Sequence, residues 1–232
     1  MTQPIKAMLF DKDGTLFDFQ ATWGSWASKV ITDLADGDTT LQTSLAQAIH
    51  FDLVGLQFLP TSPIIACTHR ECAEVVASVL PGRSVDEIDQ FMAHRAAQAP
   101  LSPAVPLAPL LDDLLARGIA LGVMTNDTEI VAHTHLRSAG VADRFFFIAG
   151  SDSGFGAKPA PDPLLAFSRA IGMDPGHVLM VGDSTHDLIA GRAAGMQTLG
   201  VLTGTALSED LAPHADAVLP DIGHIPAWIA AA

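Results

Sequence analysis

Basic residues are scarce in this chain. Lysine and arginine together number 12 against 26 aspartates and glutamates, which sets the formal net charge at -14. Such a chain repels nucleic acid backbones and anionic membrane surfaces, so neither is expected as a partner. Cysteine is scarcer still. Cys67 and Cys72 are the only two, in the stretch CTHREC with His69 between them. A metal site needs more ligands at suitable spacing, so reduced, structural thiols in a reducing compartment are expected. No apolar run is long enough to span a bilayer, and the start, MTQPIKAMLF, lacks a basic flank leading into a signal-length apolar segment. These absences predict a cytoplasmic protein. Charged residues make up 16% and hydrophobic ones 49% of 232 residues, which excludes disorder and suffices for one large domain or two small ones.

From about residue 105 onward, strand-like and helix-like segments alternate. LAPLLDDLLARG reads as a helix ending at Gly118, IALGVMT as a buried strand, and DTEIVAHTHLRSAG as a helix closed by Gly140. RFFFIAG is another strand. DPLLAFSRAIG is a helix with Asp162 as its expected N-cap and Pro163 in its first turn. HVLMVGD, QTLGVL and DAVLP supply further strands, with the helix STHDLIAGRAAG after the first. Ile5 to Phe10 would open the same sheet. The pattern predicts an α/β fold, a Rossmann-like parallel sheet with helices on both faces, whose ligands bind at the carboxyl ends of the strands. Residues 20–98 read differently: four helical patterns with no strand signal between them, two opening with capping boxes, Thr68 with Glu71 and Ser84 with Glu87. The expected organisation is a core of residues 1–19 and 99–232 with a four-helix cap inserted between its parts, leaving through the Pro- and Ala-rich stretch AQAPLSPAVPLAP.

The stretch KAMLFDKDGTLFD carries the strongest signal. An apolar run ends in Asp11 and Asp13, two carboxylates that repel each other unless a cation or a proton lies between them. Three more polar clusters fall at or after strand ends: Thr125 with Asn126 in VMTND, Lys158 in GAKPAPDP, and Asp183 with Asp187 in VGDSTHD. Hard oxygen ligands of this kind suit Mg²⁺, which favours carboxylates and phosphate oxygens.

With DKDGT, Thr125, Lys158 and GDSTHD in this order, the chain resembles the haloacid dehalogenase superfamily, in its phosphoglycolate-phosphatase-like branch with a helical cap, from about Ile5 to Ala217. The resemblance implies a Mg²⁺-dependent phosphatase acting on a small phosphate monoester, phosphoglycolate-like or a sugar phosphate. Asp11 would be the nucleophile and form an aspartyl-phosphate. Asp13 would protonate the leaving alcohol and then deprotonate the hydrolytic water, while its carbonyl ligates the metal. Asp11 and Asp183 would be the direct carboxylate ligands, and Asp187 would hold metal-bound water. Thr125 and the main-chain N–H of Asn126 would bind phosphoryl oxygens, Lys158 would neutralise Asp11 and the phosphoryl group, and Gly14 would allow close approach to the phosphate.

Asp13 separates this chain from relatives of other chemistry. Haloacid dehalogenases lack that acid, phosphonate hydrolases carry Ala there with a cap lysine (the cap here has only Lys29), and ion-pumping ATPases have Thr in DKTGT. Sugar phosphomutases keep both acids and remain an alternative, although no cationic cluster suited to a bisphosphate is visible. A non-catalytic phosphate-binding module is the other. For the leaving group, the candidate contacts are Phe17, Trp23 and the loop VGLQFLPTSPIIACT, with Arg70 or Arg95 for a second anionic group. Phe19 stands where relatives commonly have a small polar residue. His186 is expected at the rim, and His133 and His135 on different helix faces.

Overall fold

The computed structural model describes residues 3–231. Strand β1 (Ala7–Phe10) lies at the centre of a six-stranded, fully parallel sheet. With β4 (Ala120–Met124), β5 (Phe147–Ala149), β6 (Val178–Gly182), β7 (Gln197–Val201) and β8 (Ala217–Leu219), the order across the sheet is β5-β4-β1-β6-β7-β8. Successive side chains of a strand point to opposite faces. Met8 and Phe10 of β1 accordingly join Leu121, Val123, Leu179 and Val181 in one core, and Ala7 and Leu9 join Met124, Val178 and Met180 in another. Two buried faces explain why these strands read as continuous apolar runs. Helices α5 (Leu107–Ala116), α6 (Glu129–Ser138), α7 (Asp162–Ile171) and α8 (Thr185–Ala193) connect the strands. Gly122 admits the Phe167 ring of α7: a Cβ there would lie 2.6 Å from that ring. Two further helices, α9 (Ser208–Leu211) and α10 (Ile225–Ala231), follow β7 and β8 and were not read from the sequence.

Between β1 and α5 the chain forms α1 (Phe19–Ala35), α2 (Thr39–Ala48), α3 (His69–Ala77) and α4 (Val85–Ala96). These four helices share a hydrophobic core of their own, with Trp26, Ile31, Leu45, Ile88 and Met92 inside and Val131 of α6 joining from the sheet side. Both capping boxes are present, with Glu71 accepting from Thr68 N at 2.8 Å and Glu87 from Ser84 N at 2.7 Å.

Several expectations need correction. A short antiparallel hairpin, β2 (Phe51–Asp52) with β3 (Gln57–Phe58), interrupts the helices where no strand was expected. Two-residue strands are too short to show alternation, and the pair is held by the edge-to-face contact of Phe51 with Phe58. Asp162 is the first residue of α7, not its N-cap, which is Pro161. Cys67 and Cys72 are joined in a disulfide. Cys67 just precedes the N-cap Thr68 and Cys72 sits in the first turns of α3, which places their Cα atoms 6.1 Å apart, within bridging range. The expected reduced thiols, and the support they lent to a reducing compartment, therefore fall away. No helix of the described residues is long and apolar enough to cross a membrane.

Candidate active site

The parallel sheet delivers its polar residues to one edge. Asp11 directly follows β1, Thr125 follows β4 and Asp183 follows β6, all at carboxyl ends of neighbouring strands. Lys158 enters from the loop between β5 and α7, and Asp187 from the first turn of α8. The buried Lys158 Nζ donates to Asp11 Oδ1 and to Asp187 Oδ1, both at 2.6 Å. The second oxygen of Asp187 accepts from Ser184 N at 3.0 Å and Ser184 Oγ at 2.8 Å, so the same carboxylate caps α8 and braces the lysine.

Carboxylate oxygens of Asp11, Asp183 and Asp187 lie within 4.8 Å of one another, and all three residues are buried. Burial pushes the Asp11 carboxyl up to about 7; the Lys158 cation opposes this, and Asp187 and Asp13 add to it. Asp183 is driven well above the carboxylate range, first by burial and then by Asp187 and Asp11. Burial works against the Lys158 ammonium, yet Asp11 and Asp187 hold it above the ordinary lysine range. Three carboxylates against one ammonium leave negative charge uncompensated, and the donor set, all hard oxygens, fits a divalent cation. Two glycines shape that cradle. A Cβ on Gly14, whose φ is +80°, would lie 2.3 Å from Asp183 Oδ2, and one on Gly204 would lie 1.7 Å from the same atom. Close approach at Gly14 is thus to the Asp183 carboxylate. Thr15 Oγ1 also donates to Asp183, at 3.3 Å.

Asp13 faces a different set of partners. Its Oδ2 is 2.7 Å from Lys12 Nζ, and its Oδ1 accepts from Trp23 Nε1 at 2.9 Å. Lys12 is fully buried, 3.1 Å from Asp127 Oδ2, and donates to His135 Nδ1 at 3.1 Å. Burial disfavours its charge, but Asp13 and Asp127 raise it above the usual lysine value. The other ring nitrogen of His135, Nε2, then donates to the Ala96 carbonyl of α4 at 2.8 Å. Burial and the neighbouring Lys12 hold His135 below the ordinary histidine value, as a neutral link between sheet and helical segments. Lys12, Asp127, His135 and Gly204 were not singled out as site residues in the sequence. The one visible signal was a lysine between two acids.

Thr125 is buried, and its Oγ1 accepts from Asp127 N at 3.1 Å, which leaves the hydroxyl hydrogen free to donate. The Asn126 side chain ties three segments together: Nδ2 donates to Lys158 O at 2.9 Å and Ala66 O at 3.1 Å, and Oδ1 accepts from Lys158 N at 2.9 Å. Of the expected leaving-group contacts, Trp23 lines the cavity, as do Ile64, Ile65 and Ala66 of the loop. Phe17 belongs to the sheet core instead, with no exposed surface. Arg70 pairs with Asp86 at 2.6 Å and Arg95 pairs with Asp33, both away from the cavity. His186 lines both the cavity and the groove outside it, and His133 is separated from the buried His135 by half-exposure near Glu129.

The sequence matches the haloacid dehalogenase-like hydrolases over residues 5–195. The chain belongs to that family. It is 30% identical to a phosphoglycolate phosphatase of Rhodospirillum rubrum over 97% of this chain and 90% of that one. A phosphoglycolate phosphatase of Neisseria meningitidis is 43% identical, but that match spans 49% of this chain and 48% of the relative, so about half the relative's length is covered. Among solved structures, a predicted phosphoglycolate phosphatase from Haemophilus somnus superposes with a TM-score of 0.76 at 19% identity, covering 98% of this chain and 99% of that one. At that identity the likeness concerns the fold. In this member of the hydrolase family the acidic cluster lies at the sheet edge where the motif residues converge.

Proposed function

We propose that this hydrolase is a Mg²⁺-dependent phosphatase that cleaves a small phosphate monoester through an aspartyl-phosphate on Asp11, with residues 20–98 acting as a cap over the site. One observation carries the reading: Asp11, Asp183 and Asp187 converge around the Lys158 ammonium while Asp13 is held apart by other partners. Asp11 and Asp183 would hold Mg²⁺ with the Asp13 carbonyl, and Asp187 would orient its water. The ion, when bound, supplies positive charge against the phosphoryl oxygens.

The residues divide the remaining work. Lys158 favours the ionised form of Asp11 and aims it, which matters because a carboxylate is a weak nucleophile and gains its rate from position. The free Thr125 hydroxyl and the Asn126 main-chain N–H donate to the phosphoryl oxygens during transfer. Asp13 gives its proton to the departing alcohol oxygen as Asp11 Oδ attaches to phosphorus, then takes a proton from the water that cleaves the acyl phosphate. Trp23 and Lys12 fix the Asp13 carboxyl in place for both proton transfers. No cluster of cations lines the cavity among the described residues, which favours hydrolysis over a mutase that must hold a bisphosphate.

The test is steady-state phosphate release from p-nitrophenyl phosphate with Mg²⁺. Sustained turnover, lost in Asp11→Asn and reversibly stopped by a chelator, supports the reading. Undiminished activity of the Asp11→Asn protein, or activity that survives complete metal removal, overturns it.

A further inference from the structure

The cavity over Asp11 has a volume of about 100 Å³ and two unlike walls. The sheet side presents five carboxylates, those of Asp11, Asp13, Asp127, Asp183 and Asp187. Against them stand two cations already engaged: Lys158 on the wall, bonded to Asp11 and Asp187, and the fully buried Lys12 behind it, paired with Asp13 and Asp127, so neither is free for a further anion. The helical side is apolar and aromatic: Phe19, Trp26, Phe58, Ile64, Ile65 and Met92. Among the described residues no arginine and no second lysine lines this cavity. The wider groove beside it, about 690 Å³, adds the acids Glu71 and Asp210 and again no arginine. Of the two histidines on the cavity wall, His69 is engaged with the Asp89 carbonyl at 3.0 Å and lies 3.9 Å from Asp127, and His186 stands near Glu71.

A carboxylate carried into this space on the leaving group would lose hydration without gaining a counter-ion, beside acids that repel it. An uncharged hydrocarbon group would instead lie against apolar surface and release water. One buried polar atom on the lining residues lacks a partner, the indole Nε1 of Trp26. It is a neutral donor, able to meet an ether or carbonyl oxygen but not to offset a full negative charge.

We propose that the site selects phosphate monoesters whose leaving alcohol is uncharged and apolar, and discriminates against carboxylate-bearing esters such as 2-phosphoglycolate. This rests on the phosphatase reading above. It adds the substrate class, with Phe58, Ile64, Ile65 and Met92 as the residues that enforce it.

The experiment compares kcat/KM of the Mg²⁺-loaded enzyme for isobutyl phosphate and 2-phosphoglycolate. The two share a branched shape on the carbon next to the ester CH2 and differ in charge. We expect the isobutyl ester to be preferred by about tenfold or more, the scale of one uncompensated charge in a part-desolvated site. Ile65→Arg, at a half-buried position on the mouth of both cavities, should swing the ratio several-fold toward 2-phosphoglycolate. Equal or greater kcat/KM for 2-phosphoglycolate in the wild-type enzyme, with turnover of either ester, overturns the selectivity and leaves the phosphatase reading intact. No phosphate release from these esters or from p-nitrophenyl phosphate removes both.

Discussion

Replacing Lys158 by methionine keeps the length and bulk of the side chain and deletes its charge. In the folded protein that ammonium makes 2.6 Å contacts to Asp11 and Asp187, and Asp183 completes a trio of buried acids. Breaking a buried pair by removing one partner costs about 3–5 kcal/mol, against a total stability of about 5–15 kcal/mol for a typical domain. For a chain of this size the loss corresponds to a fall in melting temperature of roughly 6–20 °C. The effect depends on pH. Asp11, already raised to about 7, loses its chief opposing cation, and a carboxyl with a raised folded value is most stabilising when protonated. The deficit of Lys158→Met should therefore be largest above pH 7 in chelator and shrink toward pH 5, where the acids take up protons. Mg²⁺ should recover part of it at pH 8, and turnover should fall by about 10²–10³, the usual scale for losing one electrostatic stabiliser. Melting curves followed by circular dichroism, with and without chelator, give the comparison. A variant that melts with the wild type at pH 8, or whose deficit is identical at pH 5 and pH 8, refutes the charge argument.

In the wild type, the raised Asp11 value makes its contribution complete below 3.8 and lost as pH rises through about 7. Chelated protein should thus lose up to about 4 kcal/mol between those limits, and Mg²⁺ should flatten the slope; a flat curve in chelator contradicts it. Trp23→Phe removes the 2.9 Å hydrogen bond to Asp13, so kcat should drop about 10–100-fold with little change in KM, and an unchanged kcat would deny Trp23 that role. Gly204→Ala puts a Cβ 1.7 Å from Asp183 Oδ2, and titration with Mg²⁺ should show an affinity at least about tenfold weaker; equal affinity would show that Asp183 is not a ligand. Glu71→Gln removes the charged half of a capping box whose carboxylate the Thr68 N–H holds below its usual value. Its small loss of stability should be full above pH 4.5 and vanish as the pH falls, whereas a pH-independent loss would place the effect elsewhere.

The local sequence determined the parts of this protein that depend on near neighbours. The alternation of apolar strands and amphipathic helices, both capping boxes and the acids after β1 and β6 were legible because backbone periodicity and strand ends act over a few residues. The convergence of Asp11, Thr125, Lys158 and Asp183 was legible only through the parallel topology, which brings neighbouring strand ends together whatever their distance in the chain. Other features had no local signature. The hairpin at Phe51–Phe58 is too short to show a period, and the Cys67–Cys72 bond depends on how the loop of residues 59–68 enters α3. Lys12 stands in the sequence simply between two acids, and only packing against Asp127 and His135 made it a buried cation. Arg70 and Arg95 looked available for an anion, yet each met an acid on the outer surface first. Charge type is written in the residue, but whether that charge faces the cavity, solvent or a partner is settled by contacts between segments far apart in the chain. The identity of the acids was therefore decided by sequence, and the neutrality of the wall opposite them by the tertiary structure alone.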